Sequence, residues 1–420
     1  MKTKTFQVLV VLALVLSLSM GMALSASAKT IRFLTMQQAG MTPEEFDAAI
    51  AEFEKTHPDI EVEANYVSYD SLHSKLVTSI SGFNPAYDVV LVDDIWFPQF
   101  AKAGWLLDVT DRITPEMKED IYEAAWPIVT YKGRQYGLPY LLDQMYFYYN
   151  EEMLKKAGFD APPTTWEELV EQAKVLKEKG IVEYPIVWSW GQIEALICTW
   201  VPLLYGNGGE FFTEDGKPVF NSPEGVEALT WMVDTLKSGI SNPASITYGE
   251  EDVRSTFSQG KAAFAVNWIY MYNMTNDPAE SNVVGKTRIS LMPAFEGSGV
   301  KSATINGSMG FAVTARSKYK EEAWELVKFL VSKQIQKKYS DHITPIWKSL
   351  AQDETLRAKQ PVTLPAFDAQ FPYAHVRPKV PEYLEVSKIV QLAIHKALAG
   401  EKTPQQALDD AVAEINKILK

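Results

Sequence analysis

Short apolar strand patterns alternate with capped amphipathic helix patterns along this chain, and this alternation limits the folds open to it more than any other feature. Ile31–Leu34 has the apolar character of a short strand. Thr42–Glu45 then starts a helix, because a threonine that can cap it is followed by a proline suited to the first turn and by a glutamate that completes a capping box. Val89–Val92 is a continuous apolar run, as strands buried on both faces show. Strand, helix and strand in this order predict an α/β fold with parallel strand pairs and right-handed crossovers.

The same pattern returns further along the chain. Thr165–Glu168 and Thr403–Gln406 are additional capping boxes, and Ala262–Val266 and Phe311–Thr314 are additional apolar strands. No long linker rich in serine, glycine or proline divides the chain, and no period of about 20–50 residues repeats. We therefore expect two α/β lobes that are joined by several chain crossings.

Composition excludes several classes of protein. The 420 residues are 46% apolar and 22% charged, which is ordinary for a folded protein. A net charge of −13 is a poor match for nucleic-acid binding, which needs a basic surface. The single cysteine, Cys198, excludes an internal disulfide, and the five histidines form no zinc-binding motif. No metal or other cofactor is therefore expected.

Residues 1–28 have the pattern of a cleaved secretory signal peptide. Lys2 and Lys4 give a positive start, Val8–Leu18 is an apolar run, and Ala26–Ala28 is a small-residue cleavage site. The apolar run is shorter than the roughly 20 residues that span a bilayer. No cysteine follows the run, so a lipid anchor is not expected. The mature protein is predicted to be periplasmic or secreted.

Polar and aromatic side chains cluster just beyond several predicted strands, where open α/β sheets bind their ligands. The candidate ligand-binding residues are Gln37, Gln38, Asp93, Asp94, Trp96, Tyr140, Asp143, Tyr146, Trp190, Trp268, Tyr270, Asn306, Gly307, Ser308 and Trp347. A carboxylate can accept hydrogen bonds from two neighbouring hydroxyl groups. An indole can stack on the apolar face of a sugar ring at little cost in side-chain entropy. The set as a whole predicts the binding of an uncharged carbohydrate.

Individual members of this set have structural alternatives. Either of the two adjacent aspartates could cap the following helix. Trp96 and Trp268 could belong to the core or to the interface between lobes. The tyrosine-rich segment alternates, so some of its rings could face a core. Trp188 and Trp190 alternate as well, so one of them is expected to face a cleft, and Trp347 follows a turn and is expected to be exposed.

Several longer segments are similar, in their order and spacing, to those of one known family. They are Phe53–Ile60, Tyr87–Asp94, Lys132–Pro139, Asn150–Gly158, Pro163–Glu168 and Phe257–Ala263. With these segments the mature chain resembles the extracellular solute-binding proteins of sugar-binding family 1, the receptors of ATP-binding-cassette importers, and among them the trehalose- and maltose-type receptors. The resemblance implies a type II periplasmic-binding-protein fold: two α/β lobes, each a mostly parallel sheet flanked by helices, with hinge crossings around a cleft. It also implies a carbohydrate ligand, a transient partnership with an inner-membrane permease, and no catalysis.

The resemblance predicts how the chain divides between the lobes. Residues 29–138 and 268–312 are assigned to lobe 1, and residues 139–267 and 313–420 to lobe 2. The predicted crossings between the lobes are Leu138–Asp143, Ala265–Trp268 and Val313–Ser317.

The resemblance also assigns ligand contacts. Relatives place an acidic residue after the strand that matches Val89–Val92 and a tryptophan at the position of Trp268. Arg377 stands in a segment similar to one near the cleft of some relatives, which adds it to the candidates. Many relatives carry Gly-Gly-Trp where this chain has Asn306–Met309, so one stacking platform is missing. That departure favours a monosaccharide, a disaccharide or a polyol over a large oligosaccharide.

Two alternatives to a sugar receptor stay open. A secreted glycoside hydrolase is one, because the 53 acidic residues could include a catalytic pair, and turnover of an oligosaccharide would reveal it. A receptor for iron, a polyamine or a phosphate ester on the same scaffold is the other. A polyamine site would need more carboxylates around the aromatic rings, and a phosphate site would need arginine and lysine. The chain is expected to act as a monomer.

Overall fold

The computed structural model describes residues 28–37, 40–82, 85–341 and 343–419. The predicted signal peptide, apart from Ala28, and the candidate Gln38 lie outside the described residues. In chain order the strands are β1 (Lys29–Met36), β2 (Ile60–Val67), β3 (Val89–Asp93), β4 (Thr130–Tyr131), β5 (Arg134–Gln135), β6 (Leu138–Leu141), β7 (Tyr146–Asn150), β8 (Ile186–Val187), β9 (Phe264–Asn267), β10 (Thr287–Ser290), β11 (Thr304–Ile305), β12 (Met309–Val313) and β13 (Ala374–His375). The helices are α1 (Pro43–Thr56), α2 (Tyr69–Ile80), α3 (Phe97–Lys102), α4 (Pro115–Asp120), α5 (Glu151–Ala157), α6 (Trp166–Glu178), α7 (Glu194–Gly206), α8 (Pro223–Lys237), α9 (Glu250–Ser258), α10 (Tyr270–Thr275), α11 (Lys320–Leu330), α12 (Lys333–Lys338), α13 (Lys348–Ala351), α14 (Glu354–Lys359), α15 (Thr363–Gln370), α16 (Tyr383–Leu398) and α17 (Pro404–Ile418). Short 3₁₀ segments are Thr110–Arg112, Glu123–Val129, Pro243–Thr247 and Phe371–Tyr373.

The predicted helix starts are confirmed. Thr42, Thr165 and Thr403 each accept a hydrogen bond from the backbone N–H three residues on, and the Glu or Gln there accepts one from the threonine N–H. These reciprocal bonds satisfy N–H groups that a helix leaves unpaired in its first turn. Behind the first cap, Phe46 and Phe53 lie on the buried face of α1, as their spacing predicts. None of the helices in the described part of the chain combines the length and the apolar character that a membrane span requires.

The first sheet forms lobe 1 and has the strand order β2-β1-β3-β12-β6. β1 pairs in parallel with β2 and with β3, whereas β12 runs antiparallel to β3 and to β6. β12 can take this direction because it enters the sheet from the other lobe and not through a helical crossover. The lobe 1 core includes Phe33, which meets Phe46 and Phe311 edge-to-face with ring centroids 5.7 Å and 5.4 Å away.

The second sheet forms lobe 2 and has the order β10-β7-β9-β8. β7 is antiparallel to both β10 and β9, and β8 is parallel to β9. Both sheets are therefore mixed in direction, whereas the sequence predicts mostly parallel sheets. The core of lobe 2 contains the buried Trp166, Trp188 and Trp200, and the C-terminal helices α16 and α17 pack into it through side chains such as Val390 and Ile415.

Three segments of the described chain pass between the lobes. Residues 142–145 join β6 to β7, residues 306–308 join β11 to β12, and residues 374–382 lead from lobe 1 to α16. A β-bridge between Gln144 and Asn306 connects the first two segments, and the parallel pairing of β11 with β13 connects the last two. The three segments therefore lie side by side and form the hinge.

The first crossing lies close to its predicted place, but the other two do not. The chain does not leave lobe 2 near Ala265–Trp268, because β10 follows and pairs with β7. It does not leave lobe 1 near Val313–Ser317, because α11 packs into the lobe 1 core through Leu326 and Val327. Consequently residues 268–305 join lobe 2 and residues 313–371 join lobe 1, the reverse of the predicted division in those two segments.

Candidate ligand-binding site

The second crossing, residues 306–308, is where candidate residues from several elements meet. Ser308 Oγ accepts a hydrogen bond from the Asp143 N–H at 3.2 Å, and Asp143 O accepts one from the Gly307 N–H at 3.0 Å. The Asp94 N–H donates to Ser308 O at 3.2 Å. The carboxyl end of β3 and the first crossing therefore both contact this one short segment, at the boundary between the lobes.

Trp268 follows β9 in lobe 2, and its indole lies against Gly307. A Cβ atom placed on Gly307 would be 2.3 Å from Cη2 of the indole, so the ring fills the space beside the glycine. The Trp268 N–H donates to Asn267 Oδ1 at 2.8 Å, and Nε1 donates to Glu250 Oε1 at 3.1 Å. Gly307 and Glu250 thus fix the indole on two sides while Asn267 fixes the main chain, and the residue remains partly exposed.

Asp143 lies in the first crossing and is partly buried. Its carboxylate accepts hydrogen bonds from the backbone N–H groups of Gln144, at 2.8 Å, and of Ile269. Desolvation raises the pKa of Asp143 to about 7, because these two donors oppose the rise only in part. Near neutral pH the group therefore exists in both forms. The protonated form can donate a hydrogen bond to a hydroxyl group, and the ionised form can accept one.

Arg377 joins acidic side chains of the two lobes. Its Nη2 donates to Asp93 Oδ1 at 3.0 Å and to Asp94 Oδ1 at 2.6 Å, both at the end of β3. Its Nη1 donates to Glu194 Oε1 at 3.0 Å, at the start of α7 in lobe 2. The Arg377 side chain is 2% exposed, so solvent screens these interactions little. The Cys198 thiol is buried in the same place, with Sγ 3.9 Å from Nη1.

Two further donors complete the hydrogen bonding of the aspartates. Tyr69 OH donates to Asp93 Oδ2 at 2.7 Å, and Lys379 Nζ donates to Asp94 Oδ2 at 2.5 Å. Desolvation raises the pKa of Asp93, and the charge of Asp94 adds to the rise against the opposing charge of Arg377. Burial acts in the same direction on Asp94, but Lys379 and Arg377 outweigh it and lower the pKa of Asp94. The pair therefore combines one carboxyl group that readily takes a proton with one that stays ionised.

The two aspartates do not cap the next helix. Asp93 Oδ1 accepts a hydrogen bond from the Ile95 N–H at 3.3 Å, but α3 begins after Trp96 and has no side-chain cap. All four carboxylate oxygens of the pair are bonded to protein donors. Both side chains are buried, and a ligand hydroxyl would have to displace Tyr69, Arg377 or Lys379 to reach these oxygens, so the pair acts as a buried charged cluster between the lobes.

The sequence also matches the model of a known family. The model describes bacterial extracellular solute-binding proteins and covers residues 39–337. This chain belongs to that family. Among solved structures, maltose-bound MalE3 of T. maritima is 30% identical to the chain and superimposes with a TM-score of 0.85, over 93% of this chain and 100% of its own.

Two other solved relatives are solute-binding proteins of ATP-binding-cassette transporters. One, from Thermotoga lettingae TMO with α-D-tagatose bound, is 29% identical, with a TM-score of 0.84 over 94% of this chain and 100% of its own. The other, from Agrobacterium radiobacter K84 in complex with ribitol, is 29% identical, with a TM-score of 0.82 over 94% and 99%. The predicted two-lobed α/β fold is confirmed by these likenesses. The chain is a solute-binding protein of the transporter class and not an enzyme, as its sequence predicts.

Two tyrosine candidates of this solute-binding protein lie in the cores and not at the cleft. Tyr140 is fully buried, with its ring centroid 4.3 Å from that of Phe311 and its hydroxyl accepting from the Met41 N–H. Tyr146 is also fully buried, and its hydroxyl accepts from Gln144 Nε2 at 3.2 Å. Both belong to strands that are covered on two faces, so neither face of the strand opens to a ligand. Their burial therefore does not support a direct contact with a ligand.

Three tryptophan candidates are buried as well. Trp190 stacks on Trp188 inside lobe 2, with ring centroids 5.0 Å apart and planes 4° from parallel, so neither of the two faces the cleft. Trp347 is 5% exposed, and its Nε1 donates to the Val331 carbonyl at 2.7 Å; its predicted exposure is wrong. Trp96 is 2% exposed and belongs to the core, which is one of the two structural alternatives considered for it from the sequence.

The remaining candidates have more varied places. Gln37 is exposed at the end of β1. Tyr270 is partly buried at the start of α10, two residues beyond Trp268, and its hydroxyl donates to Glu251 Oε1 at 2.6 Å. Asn306 is buried, and its Oδ1 accepts from the Ser308 N–H at 2.9 Å, so it shapes the crossing.

Sequence reasoning missed Glu194, Glu250 and Lys379. The two glutamates each open a helix of lobe 2, where an acidic residue is explained by its favourable interaction with the helix dipole. Their site partners, Arg377 and Trp268, are 183 and 18 residues away along the chain. No local pattern marks such pairs, because the fold alone brings them together.

Proposed function

We propose that this protein binds a neutral sugar or polyol of mono- or disaccharide size in the cleft between its lobes and delivers it unchanged to a membrane permease. The observation that carries the proposal is the meeting of Trp268 and Asp143 at residues 306–308, on the boundary between the lobes. Support comes from the three solved relatives, whose ligands are maltose, tagatose and ribitol, all of them uncharged polyhydroxy compounds.

The chemistry of these side chains suits such a ligand. The partly exposed indole of Trp268 offers an apolar face on which the C–H groups of a sugar can stack. Asp143 can accept or donate a hydrogen bond, so it can match a hydroxyl group in either direction. Arg377 and Lys379 already neutralise much of the charge of Asp93 and Asp94, and the site therefore does not require a cation such as a polyamine.

The size of the ligand follows from the second crossing. Many members of the family that the chain resembles carry Gly-Gly-Trp where this chain has Asn306–Met309, a segment without tryptophan in which the side chains of Ser308 and Met309 are buried. Trp268 is consequently the stacking platform of the proposed site. One indole suits one sugar ring or an open-chain polyol better than it suits a long oligosaccharide.

Transport then depends on the hinge. A ligand that contacts both lobes stabilises the closed arrangement by its differential affinity for that state. The closed form would dock on an inner-membrane permease of the ATP-binding-cassette type and release its cargo there. In this proposal residues 1–28 direct export and are removed, and the mature monomer acts in the periplasm or outside the cell.

Isothermal titration calorimetry over a panel of sugars and polyols tests the proposal. The panel includes maltose, tagatose and ribitol, with spermidine and glucose 6-phosphate as charged controls. We expect saturable binding of at least one neutral member, recovery of that ligand unchanged, and about tenfold or more weaker binding by Trp268→Ala. Trp347→Phe, a change of a buried tryptophan away from the crossings, should keep the affinity. Absence of binding by every neutral member, or full affinity in Trp268→Ala, would overturn the proposal.

A further inference from the structure

Gly307 and Trp268 are in closer contact than any side chain at position 307 would permit. The Cβ atom of an alanine there would lie 2.3 Å from Cη2 and 2.4 Å from Cζ3 of the indole. Carbon atoms at rest are about 3.5–4.0 Å apart, so the indole would have to move by about 1 Å or more. The backbone of Gly307 is outside the left-handed region, so alanine fits its main-chain conformation and the indole is the obstacle.

The indole cannot yield easily in other directions. The ring Nε1 of Trp268 donates a hydrogen bond to Glu250 Oε1, and the main-chain N–H of Trp268 donates one to Asn267 Oδ1. Asn267 is in turn fixed, because its Nδ2 donates to the Glu250 carbonyl at 2.9 Å. The Trp268 carbonyl accepts from Tyr148 OH at 2.8 Å. With the main chain of Trp268 fixed, a group at position 307 must therefore push the ring away from residues 306–308 and against its hydrogen bond to Glu250.

We propose that Gly307 is a positioning residue: the missing side chain at 307 sets the depth at which the Trp268 indole lies, and thereby decides which ligand can stack on it. The proposal rests on the proposed function for the ligand, but the position of the ring is a property of the free protein. Stacking contacts are short-ranged, so a shift of about 1 Å changes the fit of one sugar more than that of another. Gly307 lies in the hinge. The position of the Trp268 indole is therefore set by contact with the hinge as well as by contacts within lobe 2.

Fluorine NMR of the protein labelled with 5-fluorotryptophan tests the position of the ring without any ligand. Loss of one resonance in Trp268→Phe assigns Trp268. We expect Gly307→Ala to shift that resonance more than those of the other tryptophans. Gly82→Ala is the matched control, because a Cβ atom on Gly82 meets nothing within 4 Å, and it should leave the resonance in place. An unmoved Trp268 resonance in Gly307→Ala would overturn the proposal.

Calorimetry with the neutral ligand that the wild-type protein binds best tests the consequence. Gly307→Ala should weaken that binding about tenfold and change the order of preference within the panel, whereas Gly82→Ala should not. In the Trp268→Leu background the same alanine should have little further effect, since the ring through which it acts is gone. An equal loss in both backgrounds would contradict a role through Trp268.

The outcomes separate this inference from the proposed function. If the wild-type protein binds a sugar and Gly307→Ala binds it equally well, the inference fails and the proposed function stands. If the wild-type protein binds no neutral ligand, the proposed function fails, and the fluorine shift alone decides the positioning. Should Gly307→Ala not fold, the double variant Gly307→Ala/Trp268→Leu should fold, because it removes the clash. Failure of the double variant would place the clash elsewhere and overturn the inference.

Discussion

Arg377 and Glu194 meet across the boundary between the two lobes, with 3.0 Å between Nη1 and Oε1. The other terminal nitrogen of the same guanidinium is bonded to Asp93 and Asp94 in lobe 1. Tyr383 OH also donates to Glu194 Oε1, at 2.6 Å. A single planar cation therefore holds carboxylates of both lobes at a fixed separation, a role that the forked geometry of arginine suits better than that of lysine.

Arg377→Met should destabilise the protein strongly. The variant leaves two buried carboxylates and the partly buried Glu194 without their shared counter-ion, and we expect the free energy of unfolding in urea to fall by about 3–5 kcal/mol. Arg288→Met is the control, because both side chains of its pair with Glu151 are more than a third exposed and the pair should contribute about 1 kcal/mol or less. Equal losses in the two variants would show that the buried cluster does not depend on its cation.

Trp190→Ala should destabilise the fold without changing the affinity for the ligand. Trp190 is fully buried against Trp188, so its removal leaves a large cavity in lobe 2 and should lower the free energy of unfolding by about 3–5 kcal/mol. The dissociation constant of the folded fraction should stay within about twofold of wild type. Trp268→Ala should show the opposite pattern. If Trp190→Ala bound the ligand more weakly but kept the wild-type free energy of unfolding, Trp190 would be a ligand contact after all.

Asp143 should make stability decline as the pH rises from about 4 to about 7. The folded protein holds a proton on Asp143 up to about pH 7, whereas the unfolded chain releases it near the usual value of 3.8. The folded state therefore binds more protons in this window, and the stabilisation is lost as the pH rises, with a slope of at most about 1.4 kcal/mol per pH unit.

Urea unfolding of wild type and Asp143→Asn at several pH values measures the pH-dependent contribution of Asp143 to stability. The difference in unfolding free energy between the two should fall from pH 4 to pH 7 and be flat above pH 7. Asp410→Asn serves as the control, because a hydrogen bond from Lys402 lowers the pKa of that exposed group and its contribution has the opposite sign. A flat difference across the whole range would mean that Asp143 ionises normally.

Tyr69→Phe should weaken the aspartate pair. Tyr69 OH donates to Asp93 Oδ2 at 2.7 Å, and its removal leaves a buried carboxylate oxygen without that donor, which we expect to cost about 1.5–3 kcal/mol in urea unfolding. Tyr66→Phe removes a comparable bond to Asp47 at an exposed site and should cost clearly less. Similar losses in both variants would argue against a special role for burial at Asp93.

Features whose cause lies within a few residues were predictable from the sequence. The capping boxes at Thr42, Thr165 and Thr403 are an example, because donor and acceptor are three residues apart and both are visible in the sequence. The position of Val89–Asp93 as a buried strand with acidic residues at its end is another. The two-lobed arrangement followed from the family resemblance and from the absence of a linker.

Features that depend on partners far along the chain were not predictable in this way. The division between the lobes is an example: β10 and α11 join whichever sheet has an open edge or face for them, and the sequence of each is compatible with either lobe. The expectation that one of Trp188 and Trp190 faces a cleft failed for a simpler reason. Residues two apart in an extended segment point to the same side, and both rings pack into lobe 2.

Cys198 gives this chain its single thiol, and Arg377 covers it at the place where the lobes join. Burial raises the pKa of the Cys198 thiol well above its usual value, so the group is unreactive while the cover is in place. We therefore expect a thiol reagent to label Cys198 far more slowly in the folded wild-type protein than in the unfolded chain. The ratio of the two rates gives the fraction of time for which Cys198 is uncovered, and a bound ligand that holds the two lobes together should lower that fraction.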